Sequence, residues 1–522
     1  MIKELQIRVL PRIAATAQEI ANYIAKDQHL SPSRIGGIRI LRRSIDARQR
    51  QVMVNLLVRL YIDEPIGSEH LVPPIAYRPV TSERRAIVVG AGPAGLFAAL
   101  RLIEDNVRPI VLERGKDVVE RRKDVARIAR EGIVDEDSNY GFGEGGAGAY
   151  SDGKLYTRSR KRGSVERILG IFYQHGAPED ILIDAHPHIG SDRLPAIIAA
   201  MRQTIIDCGG EVHFQTRVTG LVKRDGCIDG VTTAHGEQFD GPVILATGHS
   251  ARDVYQMLID DGLELQPKGI AVGVRLEHPQ HLIDTIQYHS PAGRGEYLPA
   301  AEYSFVTQID GRGIYSFCMC PGGIVVPAAT APGELVVNGM SPSHRNTHWA
   351  NSGMVVEVRP EDLPEPFSND GILGMMHFQQ AMERTAFEQA GRTQVAGAQR
   401  MTDFINNRPS RLIPPSSFAP GLQPSRLDQW LPPMIGKRLQ RGFARFGQMA
   451  RGFATNDAIL IGVETRTSSP LRIPRDPVTL CHPQAPGLYP CGEGAGYAGG
   501  IVSSAIDGDR AAHTLTQSLS QD

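Results

Sequence analysis

The 522-residue sequence predicts an α/β fold: a Rossmann-like domain of three layers (ββα), interrupted by an inserted mixed α+β domain and preceded by a small α/β module. Three observations lead there. An apolar run at 86–89 enters a glycine turn and then a helical run, the strand–turn–helix opening of a βαβ unit. At 487–496 a short apolar strand again enters a turn, this time Gly-acid-Gly. Between them a long stretch mixes strand and helix patterns with neither signature, as an insertion does. The expected divisions are 1–75 for the N-terminal module, 84–253 for the first part of the Rossmann-like domain, 254–475 for the insertion and 476–522 for the returning part.

The module alternates IKELQIRVLP, TAQEIANYIAKDQ, then RIGGIRILRRSID and QRQVMVNLLVRLYID, read as strand, helix and strand pair. The Pro-rich, aperiodic DEPIGSEHLVPPIAYRPVTSERR serves as its linker. Arg34, Arg39, Arg42, Arg43, Arg48 and Arg50 cluster here and raise RNA binding as a reading. Interspersed acids and the lack of an RNA-module signature favour a solvated face, or a dock for the chain's own second domain. A formal net charge of -1 gives no global field for a polyanion, so nucleic acid is not an expected partner.

In the next domain AIVVG, LFAALRLIEDN and RPIVLERG form the βαβ unit. Residues 193–248 continue with a helix (LPAIIAAMRQTIIDCGG), a strand (EVHFQTRVTGLVKRD), a short strand pair and PVILATG. The six cysteines show no metal-ligand spacing, no apolar stretch reaches bilayer length, and a reducing cytoplasm fits best.

The glycine turn is Gly90, Ala91, Gly92, Pro93, Ala94 and Gly95. Gly90 permits the tight turn, Gly92 admits a diphosphate close to the backbone, and Gly95 allows helix–sheet contact, while the helix N-terminus offers free N–H groups. The second strand ends at Glu113, followed by Arg114; a carboxylate there accepts both hydroxyls of an adenosine ribose. These features suit FAD and NAD alike. The C-terminal turn decides for FAD: Glu493, after Gly492, meets the ribityl or diphosphate-linked groups, and the helix opening at Gly500 and Ile501 faces the pyrimidine edge of a flavin. Ala246, Thr247 and Gly248 let a third strand pass close to the cofactor, and Val218 presents backbone to the adenine.

With these residues in view, the sequence resembles the FAD-dependent dehydrogenases of the glutathione-reductase-like superfamily, in particular a bacterial group of about this length. The matching stretches include VVGAGPAGLFAAL, YGFGEGGAGAYSDGKLYT, HPHIGSDRL, GVRLEHPQHLID, YSFCMCPGGIVVPA, GVETRTSSPLRIPRD and LYPCGEGAGYAGGIVSSAIDGDRAA. The resemblance implies bound FAD and a dehydrogenase or reductase, with hydride transfer through flavin N5 on a small-molecule substrate. Outside the two turns already described, no further G-x-G-x-x-G follows a strand. Electrons are therefore expected from NAD(P)H or another donor or acceptor that binds without its own Rossmann domain. A flavin-dependent tRNA- or nucleic-acid-modifying enzyme and a non-catalytic redox sensor are the rivals.

Residues 141–148, including Gly146, resemble the glycine loop that passes under the flavin ring in related proteins; they also suit a surface loop. Lys154, just beyond, would place positive charge near flavin N1. Glu464 and Arg466 gather an acid and a base, and Arg466 suits either a substrate carboxylate or an internal salt bridge. His186, His188 and His278 are proton-transfer candidates by type alone. Cys318 and Cys320 invite a redox dithiol; the expectation is against it, with the two thiols on opposite strand faces and buried as small apolar groups.

Overall fold

In the computed structural model, which describes residues 1–67, 71–157 and 163–520, the apolar run after Arg84 becomes the strand Arg85–Val89, central in a five-stranded sheet. Across that sheet the order is Leu488–Pro490, Val243–Leu245, Arg85–Val89, Arg108–Leu112 and Glu211–His213, all parallel. Strand side chains alternate faces. Ala86 and Val88 accordingly pack on the helices Pro93–Glu104, Leu194–Asp207 and Ile501–Ser518, whereas Ile87 and Val89 pack against a second sheet. That second sheet is antiparallel and three-stranded: Val218–Arg224, Cys227–Thr233 and Gln238–Asp240. Three layers result, with helices on one face of the parallel sheet and strands on the other.

One expected strand is two. EVHFQTRVTGLVKRD splits into Glu211–His213, which joins the parallel sheet, and Val218–Arg224, which joins the antiparallel one. Gln215, at φ 55, turns the chain between them.

The strands between Ile270 and Glu464 build a seven-stranded sheet, ordered Val306–Ile309, Arg312–Cys320, Trp349–Val358, Ile270–Pro279, Ile459–Glu464, Ala396–Arg400 and Leu422–Pro424. Its pairs are antiparallel except the last. Ile270–Pro279 is buried almost end to end, as befits a centre strand covered on both faces. The helix Pro433–Met449 lays Ile435, Leu439, Phe443 and Phe446 on this sheet at helical spacing. Each such side chain contributes roughly 1.5–3 kcal/mol by leaving water.

The N-terminal module is an antiparallel three-stranded sheet, Ile2–Val9, Met53–Ile62, Ile35–Asp46, with the helix Ala17–Asp27 across it. The Thr16 hydroxyl caps that helix by accepting from the Glu19 N–H, and Ile20 and Ile24 are buried beneath it. The module touches both other units. Arg43 pairs with Asp184 at 2.7 Å and Asp180 at 3.3 Å, Arg39 reaches Glu179 at 3.4 Å, and His289 Nε2 lies 2.9 Å from the Ala47 carbonyl. Arg34 and Arg48 pair within the module, with Asp63 and Asp46. Of the linker, residues 68–70 lie outside the described residues. Among the described residues no helix is long and apolar enough to cross a membrane, and no cluster of metal-ligating side chains occurs.

Candidate functional site

In a parallel sheet every strand ends at the same edge, and there the turns collect. Gly90 follows Val89, Glu113 follows Leu112, Ala246 follows Leu245, and Cys491, Gly492 and Glu493 follow Pro490. The backbone ladder continues into these turns: Gly90 N–H donates to Leu112 O (2.8 Å), Ala246 to Val89 (2.9 Å), Cys491 to Leu245 (3.0 Å) and Glu113 to His213 (2.8 Å). Four turns far apart in sequence thus stand in one row.

Gly90 has φ 101, open to glycine at little cost. A Cβ on Gly95 would lie 1.8 Å from the Gly90 carbonyl oxygen, so glycine there is needed for packing alone. Gly92 differs: its Cβ would meet nothing nearer than 3.9 Å, and a Cβ on Gly248 or Gly500 would meet nothing within 4 Å. Those positions face open space. Pro93 and Ala94 begin the helix whose N-terminus points into it.

Glu113 is buried and its carboxylate is held by three backbone donors: Ala91 at 2.8 Å, and Gly115 and Gly143 at 2.9 Å each. Val218, also buried, opens its strand beyond the outer end of the row, where Thr216 N–H donates to Glu113 O at 2.9 Å. Glu493 accepts from the Gly500 N–H and approaches His249 Nε2 at 3.4 Å, tying the C-terminal turn to the start of Ile501–Ser518. Burial raises the Glu493 pKa. Burial, then Arg466, Lys268 and Arg252, drive His249 down to about 4, so the ring is neutral and its buried Nδ1 has no partner. Open space over the glycines and an orphaned imidazole nitrogen fit an extended polar cofactor.

The loop 141–154 links this row to the large unit. Gly145 N–H donates to Ala91 O at 2.8 Å, a Cβ on Gly146 would come within 3.2 Å of Gly92 Cα, and one on Gly148 within 3.3 Å of Ile501 Cγ1. Lys154, further on, donates to the Met319 carbonyl and lies 3.8 Å from Glu302. Glu302 also meets His186 Nδ1 at 2.5 Å. Burial favours a raised Glu302 pKa, but the His186 hydrogen bond and the charges of Lys154 and Arg345 outweigh it and bring Glu302 to about 2. The same hydrogen bond raises His186, whose ring lies tilted against Tyr156 at 4.9 Å and is largely exposed.

Residues 269–467 match the family model described as FAD-dependent protein, C-terminal domain-like, and residues 1–61 match a domain of unknown function. An uncharacterized protein of Clostridium beijerinckii is 38% identical over 518 residues, 95% of each chain. The chain belongs to the family of that clostridial protein. Its cofactor is FAD. Solved structures with a distant likeness include a geranylgeranyl bacteriochlorophyll reductase-like protein of Thermoplasma acidophilum, 12% identical with a TM-score of 0.34, covering 84% of this chain and 79% of its own. Another is CtdE in complex with FAD, 11% identical with a TM-score of 0.33, covering 84% of both chains.

Several expected site residues have other partners. Arg466 does not await a substrate carboxylate: its Nε and Nη2 donate to Glu383 at 2.7 and 2.8 Å, and Nη2 lies 3.3 Å from Glu334. Arg252 completes the square, at 3.0 Å from Glu334 and 2.8 Å from Glu383. Glu464, fully buried, belongs to a separate network, paired with Arg275 at 3.0 Å. The acid and base adjacent in sequence therefore do not act on one ligand. Arg114 is held by Asp137 (2.8 Å) and Asp253 (2.9 Å) over the Phe142 ring, which commits its charge inside the protein. His188 rests on the Ser343 carbonyl and His278 on that of Phe453, both lowered by burial.

The sequence reading missed Asp507, which accepts from Gly492 N–H at 2.8 Å and binds Arg475 at 2.7 Å, fixing the C-terminal turn. Its signal was an acid among the apolar residues Ala505, Ile506 and Gly508 in the second turn of the helix that follows the glycine turn. His249 carried one too, directly after Gly248. Glu302, Glu383 and Arg275 had none, since only tertiary packing brings their partners.

Proposed function

We propose that the protein is an FAD-dependent oxidoreductase that moves a hydride between a carbon of a small-molecule substrate and flavin N5. The observation that carries this reading is the row of four strand-end turns, with open space over Gly92, Gly248 and Gly500. The bound cofactor supplies the two-electron chemistry. The chain supplies placement. Gly90, Gly92 and Gly95 with the helix N-terminus hold the diphosphate, Glu113 the adenosine ribose, and Val218 the adenine. Gly492 and Glu493 hold the ribityl side, and the Ile501 N–H at the helix start stabilises negative charge at the pyrimidine edge, the Gly500 N–H being taken by Glu493. Gly146 and its loop lie beneath the ring.

Lys154, Glu302 and His186 stand where that loop leaves the row. His186, exposed and backed by a carboxylate, is the group suited to hold or deliver the substrate's proton. The electron partner is NAD(P)H or another carrier that docks without its own Rossmann domain, and the free thiols suit a reducing cytoplasm. An RNA-modifying reading is weakened because Arg34, Arg39, Arg43 and Arg48 are all in ion pairs with the chain's own carboxylates.

The test is an absorbance spectrum of the purified protein, then anaerobic mixing with NADH, NADPH and a metabolite panel. A yellow protein bleached by a defined donor is expected. Well-folded protein that is colourless and cannot be reconstituted with FAD would overturn the proposal.

A further inference from the structure

We propose that the N-terminal module is a clamp that sets the geometry of the His186–Glu302 pair, with Arg43 as its positioning residue. The proposal rests on the reading of His186 as the proton-handling group, and it gives a task to the segment that matches a domain of unknown function.

The module's strand Ile35–Asp46 is an edge of its sheet, and an edge strand offers unpaired backbone groups. The two residues before His186 take up that offer. Arg43 pairs with Asp184 in a single parallel bridge, and the Ala185 N–H donates to the Arg43 carbonyl at 2.9 Å. The Arg43 side chain repeats the contact, its Nε and Nη2 donating to the two Asp184 carboxylate oxygens at 2.7 and 3.1 Å. A two-pronged pair of this kind fixes orientation as well as distance. On the other side of His186 the flavin loop takes hold: the Leu155 N–H donates to the Pro187 carbonyl at 2.8 Å, and the Ile189 N–H to the Gly153 carbonyl at 3.1 Å. His186 therefore stands between a grip by the module and a grip by the loop.

Glu302 is tied to the same module by a second route. The Ala301 N–H donates to Asp284 at 2.8 Å and the Tyr288 hydroxyl to the Pro299 carbonyl at 3.0 Å, so the helix Gln280–Tyr288 sets the segment that carries Glu302. That helix ends at His289, in the left-handed region at φ 56, whose Nε2 donates to the Ala47 carbonyl at 2.9 Å. Ala47 and Val52, the first and last residues of the module's hairpin turn, pack on the apolar core of the large unit. Arg48 braces the turn, its Nε and Nη2 each 2.8 Å from an Asp46 oxygen.

One hairpin thus reaches both halves of the pair. Arg43 and Ala47 are four residues apart, at most about 13 Å of extended chain, yet they hold loops more than 100 residues apart in sequence. His186 Nδ1 and Glu302 Oε1 meet at 2.5 Å, and a contact so close weakens steeply if either loop drifts. Lys154, the third member, is fixed from the large unit by the Met319 carbonyl, at a bulge where Phe317 pairs with Gly353 but Cys320 with Asn351. Cys318 in that bulge is exposed and only Cys320 is buried, against the expectation of two buried thiols. The charges facing the His186 ring are Glu302, Lys154 and Arg345, with Tyr156 against it. Arg43 acts on the ring through the backbone it holds.

The test is an NMR titration of His186 in histidine-labelled holoprotein, its resonance identified by its loss in His186→Gln. The wild-type ring titrates above its ordinary value because it bonds to Glu302. Arg43→Ala keeps the backbone bridge and removes the fork; it should lower the pKa of His186 by about one, as expected when an opposite charge moves out of reach. His289→Ala, which cuts the other arm, should lower it as well. Arg43→Lys keeps the charge without the fork and should fall between wild type and Arg43→Ala. Arg43→Ala combined with Glu302→Gln should titrate with Glu302→Gln alone, since both changes remove one contact. Arg43 is 32% exposed, so its loss seals no charge inside the protein and the variants should fold. A module that only props up the fold would move the melting temperature and leave the titration in place. That result, or a double variant that falls by the sum of the singles, would sink the clamp. Flavin absorbance scores the FAD reading separately: colourless protein would count against that reading, and the histidine titration would still decide the clamp.

Discussion

Replacing Arg466 by Met tests whether this cation belongs to the fold or to a ligand. Arg466 and Arg252 face Glu334 and Glu383 in a nearly closed square, and Glu383 has no exposure to solvent. Removing one cation leaves two carboxylates on a single arginine, in a place water does not reach. Breaking a buried pair in this way costs about 3–5 kcal/mol. For a unit of this size that lowers the melting temperature on the order of 10 °C.

The double variant Arg466→Met, Glu383→Met leaves the Arg252–Glu334 pair at 3.0 Å and restores neutrality. It should recover about 2 kcal/mol or more of the loss, a coupling typical of residues in contact. Acid adds a second signature. Burial favours a raised Glu383 pKa, but Arg252 and Arg466 overcome it and hold the group well below 4.5. A lowered carboxylate stabilises the fold above its ordinary pKa and gives that up as pH falls below it, so the wild type should soften below pH 4.5 and the double variant less so. Thermal melts and hydrogen exchange over the helix Gly374–Gln389 read both effects. If Arg466→Met melts with the wild type, or if the double variant falls by the sum of the singles, the square is not what holds this arginine.

Gly95→Ala should fail to fold, since its Cβ would sit 1.8 Å from a carbonyl oxygen, whereas Gly92→Ala should fold normally and bind FAD poorly; expression yield and flavin content separate the two. Glu113→Gln sets an amide N–H2 against a backbone donor and weakens a ribose contact, so FAD affinity should fall by about 1.5–3 kcal/mol, roughly 10–100-fold, in a fluorescence titration. For His186, whose pKa is raised by Glu302, Glu302→Gln should lower the ring's pKa in an NMR titration, to below its ordinary value, because burial, Lys154 and Arg345 all still act against the cation. In the wild type that contact is fully present below pH 6.5 and loosens as pH climbs through the raised value, so exchange at residues 186–192 should quicken on the alkaline side.

Local chemistry made part of this structure legible. The strand and helix around Gly90 announce themselves because apolar run, glycine turn and helix follow one another without interruption, and the C-terminal turn repeats the device. The module's strands and helix were legible from their periods. What stayed hidden is long-range. Glu211 to Arg224 reads as one strand because β-branched and aromatic residues run through it, yet Gln215 adopts a left-handed conformation that composition does not signal. Glu464 and Arg466 look like a pair on paper; each finds a stronger partner from a distant strand or helix, Arg275 and Glu383. The bulge at Cys318 is equally invisible, because it is a matter of register with Trp349–Val358.

The parallel sheet takes its three inner strands and one edge strand, Glu211–His213, from before the large unit's sheet and the other edge strand, Leu488–Pro490, from after it. Ile501–Ser518 then lies on Pro93–Glu104, so close that a Cβ on Gly508 would stand 2.0 Å from the Ala94 carbonyl oxygen. On a ribosome, which delivers the chain from its N-terminus, the glycine turn at Gly90 therefore waits through the synthesis of about 400 residues before its covering helix exists. Until then the apolar side of Pro93–Glu104 has no lid. Flavin capture is a closing event of biogenesis, and a ribosome that stalls inside the large unit releases a chain with its most adhesive helix bare.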